Sequence, residues 1–177
     1  PRYAHMPPGH DRRRHADETT DILGEFARFE HQGTLPNMIR GNDQSNRDTS
    51  DAPLWFLVAC HDLLRKTGRA AFLDQRCGRR TLHEVVRSIG SGYMSGTPNG
   101  IRMDPDSGLV FSPSHFTWMD TNFPAGTPRQ GYPVEIQALW FAGLSFLAET
   151  DPEGPWAGLS RRVRASILAR FCVEEPG

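Results

Sequence analysis

Between Asp17 and Val173 the apolar residues of this chain return at helical spacing, and long loops rich in Gly, Pro, Asn and Asp separate those stretches. That alternation constrains the fold more than any other feature. Ile22, Leu23, Phe26 and Phe29 predict a helix over 17–32, with Gly33 as its stop. A second helix is expected over 51–67, with Ser50 as its cap, Asp51 in its first turn, Pro53 tolerated there and Gly68 at its end. Its apolar positions cover most of its circumference, which predicts burial on several sides. A third helical region spans 70–89, broken near Cys77-Gly78. A fourth covers 133–149, with Ile136, Leu139, Trp140, Leu144 and Leu147 in register, and a fifth covers 158–173. The segment 90–126 is punctuated by Gly and Pro and holds two short extended pieces, 101–103 and 109–112.

No β-α-β alternation, glycine-rich phosphate loop or sustained heptad is visible. The expected fold class is therefore all-α, built from helical hairpins, with the chemistry on the loops. The start, with Pro7-Pro8-Gly9 and Arg12-Arg13-Arg14, carries almost no apolar pattern. The chain is thus expected to divide into a loose segment, 1–16, and a helical domain, 17–177.

Composition removes several function classes. With 20 basic and 21 acidic residues the formal charge is -1, so no basic excess is available to hold a nucleic-acid backbone. No stretch approaches the ~18 unbroken apolar residues of a membrane span, and residues 1–15 lack the apolar core of a signal peptide. Cys60, Cys77 and Cys172 are too scattered for a disulfide framework. Cys60, inside the apolar run Trp55 to Leu64, is expected as a buried reduced thiol, and the compartment as the cytoplasm. His5, His10, His15, His61, His83 and His115 lack companion ligands at metal-site spacing, so no metal is expected.

Two loops concentrate the chemistry. One carries Asn37, Arg40, Asn46, Arg47 and Asp48 and runs into Asp51-Ala52-Pro53-Leu54-Trp55. The other runs from His115-Phe116-Thr117-Trp118-Met119-Asp120 to Thr127-Pro128-Arg129 and Val134-Glu135-Ile136. Both put carboxylates beside Trp, Arg or Asn. Aromatic rings can cover the apolar faces of a pyranose while amides, carboxylates and guanidinium groups bind its hydroxyls. Glycoside hydrolysis needs two carboxyl groups, and the candidates are Asp120, Glu135, Asp51 and Asp48. Asp120 follows Trp118 by two residues, and an acid against an aromatic surface keeps its proton through desolvation. A structural role stands beside each assignment. Asp120 could cap or turn the chain, Glu135 and Asp51 could serve a helix dipole, and Arg129 could bridge loops.

The stretches TLPNMIRGNDQSNRDTSDAPLWF and HFTWMDTNFPAGTPRQGYPVEIQALWF, with Ile101-Arg102-Met103-Asp104 and Gly108-Leu109 between them, resemble the C-terminal glucosidase module of prokaryotic-type glycogen debranching enzymes. The resemblance runs from about Asp21 to Glu149. It implies an (α/α)6 toroid and hydrolysis of α-1,6-linked glucose at the branch points of glycogen or another branched α-glucan, without a cofactor. It implies Asp120 as general acid. It also makes Asn37, Asp51, Trp55, Trp118, Arg129 and Glu135 sugar-binding residues or shapers of the glucose pocket. Twelve helices of ~11–12 residues with typical connections need roughly 190 residues before any long loop. Five are expected here, so the resemblance implies part of the toroid, with the general base and the rest of the debranching enzyme outside this chain. Trp140 is expected beside the carboxylates and Trp156 in packing. The other function classes are a non-catalytic glucan-binding module and an inactive fragment.

Overall fold

A computed structural model describes residues 8–41, 43–119 and 129–172, with the backbone alone for 8–14. Five α-helices dominate these residues: α1 (Pro8–Ala27), α2 (Ala52–Thr67), α3 (Leu82–Ser95), α4 (Val134–Thr150) and α5 (Trp156–Phe171). Two small antiparallel hairpins join them. Strands β1 (Arg76–Cys77) and β2 (Arg80–Thr81) pair in one, and β3 (Arg102–Met103) and β4 (Val110–Phe111) in the other. The described chain is all-α in class, as the spacing of apolar residues requires, and is consistent with part of an α/α toroid. No described helix is long and apolar enough to cross a membrane.

Helix α4 is the hub. It packs against α2 and α5 and touches α3. Ile136, Trp140, Leu144 and Leu147, which share one face, are fully buried. A Cβ on Gly143 would lie 2.8 Å from Leu57 Cδ1, so the missing side chain is what lets α2 and α4 come together. Trp140, Tyr93 and Phe146 are the largest fully buried side chains. Tyr93 stacks on Trp140 with ring centroids 5.6 Å apart.

Helix ends follow local chemistry. Thr81 and Glu84 form a reciprocal capping box at the start of α3, with Thr81 N–H donating to Glu84 Oε2 at 2.6 Å and Glu84 N–H to Thr81 Oγ1 at 3.2 Å. Gly68 ends α2 in the left-handed region (φ 64°), and its N–H donates to the Leu64 carbonyl at 2.8 Å.

Three boundaries differ from expectation. Residues 8–16, expected to be loose, belong to α1. Pro8 suits a first helical turn, arginine is a good helix former, and no Pro or Gly stands between Gly9 and Gly24. At its other end α1 stops at Ala27 rather than Gln32. Glu30 turns inward instead, and its Oε2 forms an ion pair with Arg80 Nη1 at 2.5 Å while its Oε1 accepts from Gly33 N–H and Ser88 Oγ at 2.7 and 2.8 Å. The break expected near Cys77-Gly78 is a hairpin with Gly78 at φ 71°, and α3 runs six residues beyond Ile89, to Ser95.

Candidate active site

Two loops meet above the start of α2. The first is held from below by Arg47. Its Nη2 donates to the Phe29 carbonyl at 2.7 Å, and its Nη1 donates to the Thr34 carbonyl and Oγ1 at 3.0 and 2.8 Å. Partial burial pulls this guanidinium below its ordinary pKa, and the nearby Glu30 charge opposes that pull. Asn99 Nδ2 donates to the Arg47 carbonyl at 2.6 Å from the turn after α3. Above Arg47, Asn37 N–H donates to the Asn46 carbonyl at 2.9 Å, and Asn46 Oδ1 accepts from Asp48 N–H at 3.1 Å. These bonds fix the backbone of a segment that has no regular structure to hold it.

The start of α2 departs from the simple capping expected. Ser50 does not cap. Its Oγ lies 2.8 Å from Ser112 Oγ. Asp51 is the residue at the helix boundary, and its side chain makes no capping bond. Thr49 does that work, because its Oγ1 accepts from Ala52 N–H at 3.2 Å and donates to Asp51 Oδ1 at 2.6 Å. The Asp51 carboxylate is thereby held by Thr49 at the positive end of the helix.

The second loop is fastened at its base by Gln137, which is fully buried on α4. Its Oε1 accepts from Val110 N–H at 2.7 Å, and its Nε2 donates to the Val110 carbonyl at 2.9 Å. Ser112 and Gly131 then exchange two backbone hydrogen bonds, at 2.7 and 3.0 Å. Beyond Ser112, His115 takes a positive φ of 64°, a strained state for a residue with a Cβ. The turn brings the Phe116 carbonyl to Ser50 N–H at 2.7 Å. On the returning strand of the loop, Arg129 Nη2 donates to both Thr117 Oγ1 and Glu135 Oε1 at 2.5 Å.

Where the loops meet there is a cleft of about 220 Å³. Asn37, Asn46, Asp48, Thr49 and Asp51 line it from the first loop. His115, Phe116, Thr117 and Trp118 line it from the second. It falls below the roughly 300–1,000 Å³ of pockets that enclose drug-sized molecules, and so suits a small polar group. A larger cleft, about 580 Å³, lies between α1 and α2 and includes none of these loop residues.

Residues 12–176 match the family model described as amylo-alpha-1,6-glucosidase. The chain belongs to the amylo-alpha-1,6-glucosidase family. No curated protein matches it. Family membership places the chain among glucosidases of the glycogen-debranching type, and it is part of a C-terminal debranching-enzyme module.

The sugar-binding residues expected for such a glucosidase separate into three groups. Asn37, Asp51 and Trp118 line the cleft. Arg129 and Glu135 do not line it, but join it through Thr117. Trp55 lies outside the cleft lining, one turn into α2, where its N–H donates to the Asp51 carbonyl at 2.8 Å and its side chain is 54% exposed. Asp120, with Thr127 and Pro128, lies outside the described residues.

One placement is corrected. Trp140, expected beside the carboxylates, is a core residue with 0% exposure, and its Nε1 donates to the Gly108 carbonyl at 3.1 Å. The helical register of α4 turns it to the face opposite solvent, where Tyr93 covers it. The roles of Tyr93, Ser112 and Gln137 in fastening the loops have no signal in the sequence. They arise from contacts between distant segments and leave no local pattern in the sequence.

Proposed function

We propose that the chain carries the acid side of a site that hydrolyses α-1,6-linked glucose at branch points of glycogen or a similar branched α-glucan. Asp120 is the general acid that protonates the glycosidic oxygen. Trp118 and Trp55 stack on or wall the glucosyl unit. Asn37 and Asp51 bind its hydroxyls, and Arg129 braces the loop between Thr117 and Glu135, with Glu135 orienting the acid or holding a hydroxyl. Asp51 already accepts a bond from Thr49, which suits a hydroxyl acceptor better than a free base. The water-activating base is assigned to the remainder of the debranching enzyme. A separation of ~6.5–9.5 Å between the two carboxyl groups would give inversion. Two carboxyls suffice for this chemistry, so the reading calls for no cofactor, and it places the enzyme in the cytoplasm.

One observation carries the proposal. The two loops that resemble the debranching module converge on a single cleft lined by carboxylate, amide, hydroxyl and indole groups, in a chain whose family is a glucosidase family. The test is Asp120→Asn in the complete parent enzyme, followed by glucose release from a branched limit dextrin. Loss of a general acid typically costs about 10²–10⁴ in rate, and an unchanged rate overturns the assignment. Retention of this chain on glycogen without glucose release would instead mark it as a glucan-binding part.

A further inference from the structure

An aromatic cluster lies on the β3–β4 hairpin and the strand that returns beside it, outside the lining of the cleft. The β3–β4 register sets Arg102 opposite Phe111, and the Arg102 guanidinium carbon lies 4.3 Å from the centre of the Phe111 ring. Tyr132 meets the same ring edge to face, with centroids 6.0 Å apart and planes at 78°. Tyr132 is 42% exposed and Arg102 is exposed, so the cluster presents a ring, a phenolic hydroxyl and guanidinium donors to solvent.

The cluster is tied to the cleft through three short links. Phe111 and Tyr132 each follow or precede a member of the Ser112–Gly131 backbone pair. Ser112 Oγ meets Ser50 Oγ at 2.8 Å. Ser50 stands between Thr49 and Asp51, both of which line the cleft.

We infer that Arg102, Phe111 and Tyr132 form a second sugar-contact surface, which takes the glucan chain beyond the glucosyl unit in the cleft. The inference rests on the glucosidase reading of that cleft and extends it to the longer part of the substrate. Its chemistry is the one the cleft uses in smaller form. A ring packs against the apolar face of a pyranose, and neighbouring donors reach the hydroxyls at its rim. The cation–π contact with Phe111 orders the Arg102 guanidinium beside the ring before any sugar arrives. The cleft, about 220 Å³, is small beside a branched glucan. Glucan units beyond the cleft need a further surface to lie on.

The experiment compares glucose with maltotetraose, each titrated into the full chain and followed by tryptophan fluorescence or calorimetry. Wild type is expected to bind maltotetraose more tightly than glucose. Tyr132→Ala, which gives up one edge-to-face contact with Phe111, is expected to lower the melting temperature by no more than about 6 °C. It should keep glucose affinity within about twofold and lose roughly three- to tenfold in maltotetraose affinity, the scale of one aromatic contact. Tyr132→Phe, which keeps the ring, should recover most of that loss. Unchanged maltotetraose affinity in Tyr132→Ala overturns the inference. So does an equal loss for both sugars, or a wild type that binds the two alike. If wild type binds maltotetraose but not glucose and Tyr132→Ala abolishes that binding, the surface stands and the reading of the cleft falls. If wild type binds neither sugar, both fall.

Discussion

The backbone N–H of Ser50 donates to the carbonyl of Phe116 at 2.7 Å, and this bond, with the Ser50 Oγ–Ser112 Oγ contact at 2.8 Å, joins the two loops that carry the candidate site. Ser50 is fully buried, and its own carbonyl accepts from Tyr93 Oη at 2.8 Å. Burial pushes the Tyr93 phenol well above its ordinary pKa, with the Asp51 charge adding to the effect, so it stays a neutral donor. One residue at a helix start is thus gripped by a core tyrosine on one side and by the opposite loop on the other.

Tyr93→Phe tests that grip. The ring remains to stack on Trp140, but the Ser50 carbonyl loses a buried donor. An unsatisfied buried acceptor costs about 1–3 kcal/mol. The variant is expected to unfold at lower urea concentration with an unchanged slope, and to bind glucose more weakly because the loop junction loosens. An unchanged urea midpoint would show that the hydroxyl does not hold the junction.

Glu135→Gln separates positioning from stability. The Arg129 and Glu135 side chains are 28% and 27% exposed, so their ion pair is partly screened and stabilises by no more than about 1 kcal/mol. Arg129 also donates to Thr117, at the edge of the cleft. The amide should leave the melting temperature nearly unchanged and weaken glucose binding severalfold, read by titration. A variant that binds as wild type would make the pair a loop brace with no part in sugar recognition.

The fold was legible where the chain makes its own pattern. The apolar period gave α2, α4 and α5 to within a few residues, because packing of one face decides those helices. It misjudged α1, where Ile22 and Phe26 keep the helical spacing yet are 60% and 37% exposed, and only Leu23 and Ala27 of that stretch reach the core. Periodicity reports a face and says nothing of what covers it. At the site, Asp51 and Trp118 could be picked out because their neighbours in sequence are distinctive. Ser112 and Gln137 could not, since a serine pair and a glutamine clamp acquire meaning only when loops from distant parts of the chain meet.

Acid pH should act on the turn that joins β3 to β4. Asp104 accepts from Ser107 Oγ at 2.6 Å and from Ser107 N–H at 2.8 Å. These bonds, the side-chain one first, hold its carboxyl below the ordinary value of 3.8, with Arg170 adding a smaller pull. A carboxyl depressed by folding contributes stability that is present above its unfolded value and is lost as pH falls through its folded value. The window therefore lies at and below about pH 3.8. Titration of the Asp104 carboxyl by NMR should give a midpoint below that of an unfolded chain. Ser107→Ala should move it upward, and a midpoint that stays put would assign the depression to the Ser107 N–H bond and the Arg170 charge.

Packing under the first loop can be tested from the far side of α3. A Cβ on Gly92 would lie 2.6 Å from Gly33 Cα and 2.8 Å from the Gln32 carbonyl oxygen, both backbone atoms that cannot swing aside. Gly33 itself holds a φ of 87° in the turn that leads to Thr34, and Thr34 accepts from the Arg47 guanidinium. Gly92→Ala must therefore push the turn outward, and overpacking of this kind costs about 1–3 kcal/mol. The push is transmitted through Thr34 and Arg47 to Asn46 and Asp48 at the cleft. Gly68→Ala is the comparison. Gly68 has a φ of 64° and open space around it, so the added methyl strains the backbone by about 1–2 kcal/mol and clashes with nothing. The two variants should lose similar stability in urea unfolding, while only Gly92→Ala also loses glucose affinity. Equal affinity in both would mean that the turn at Gly33 is uncoupled from the loop that Arg47 supports.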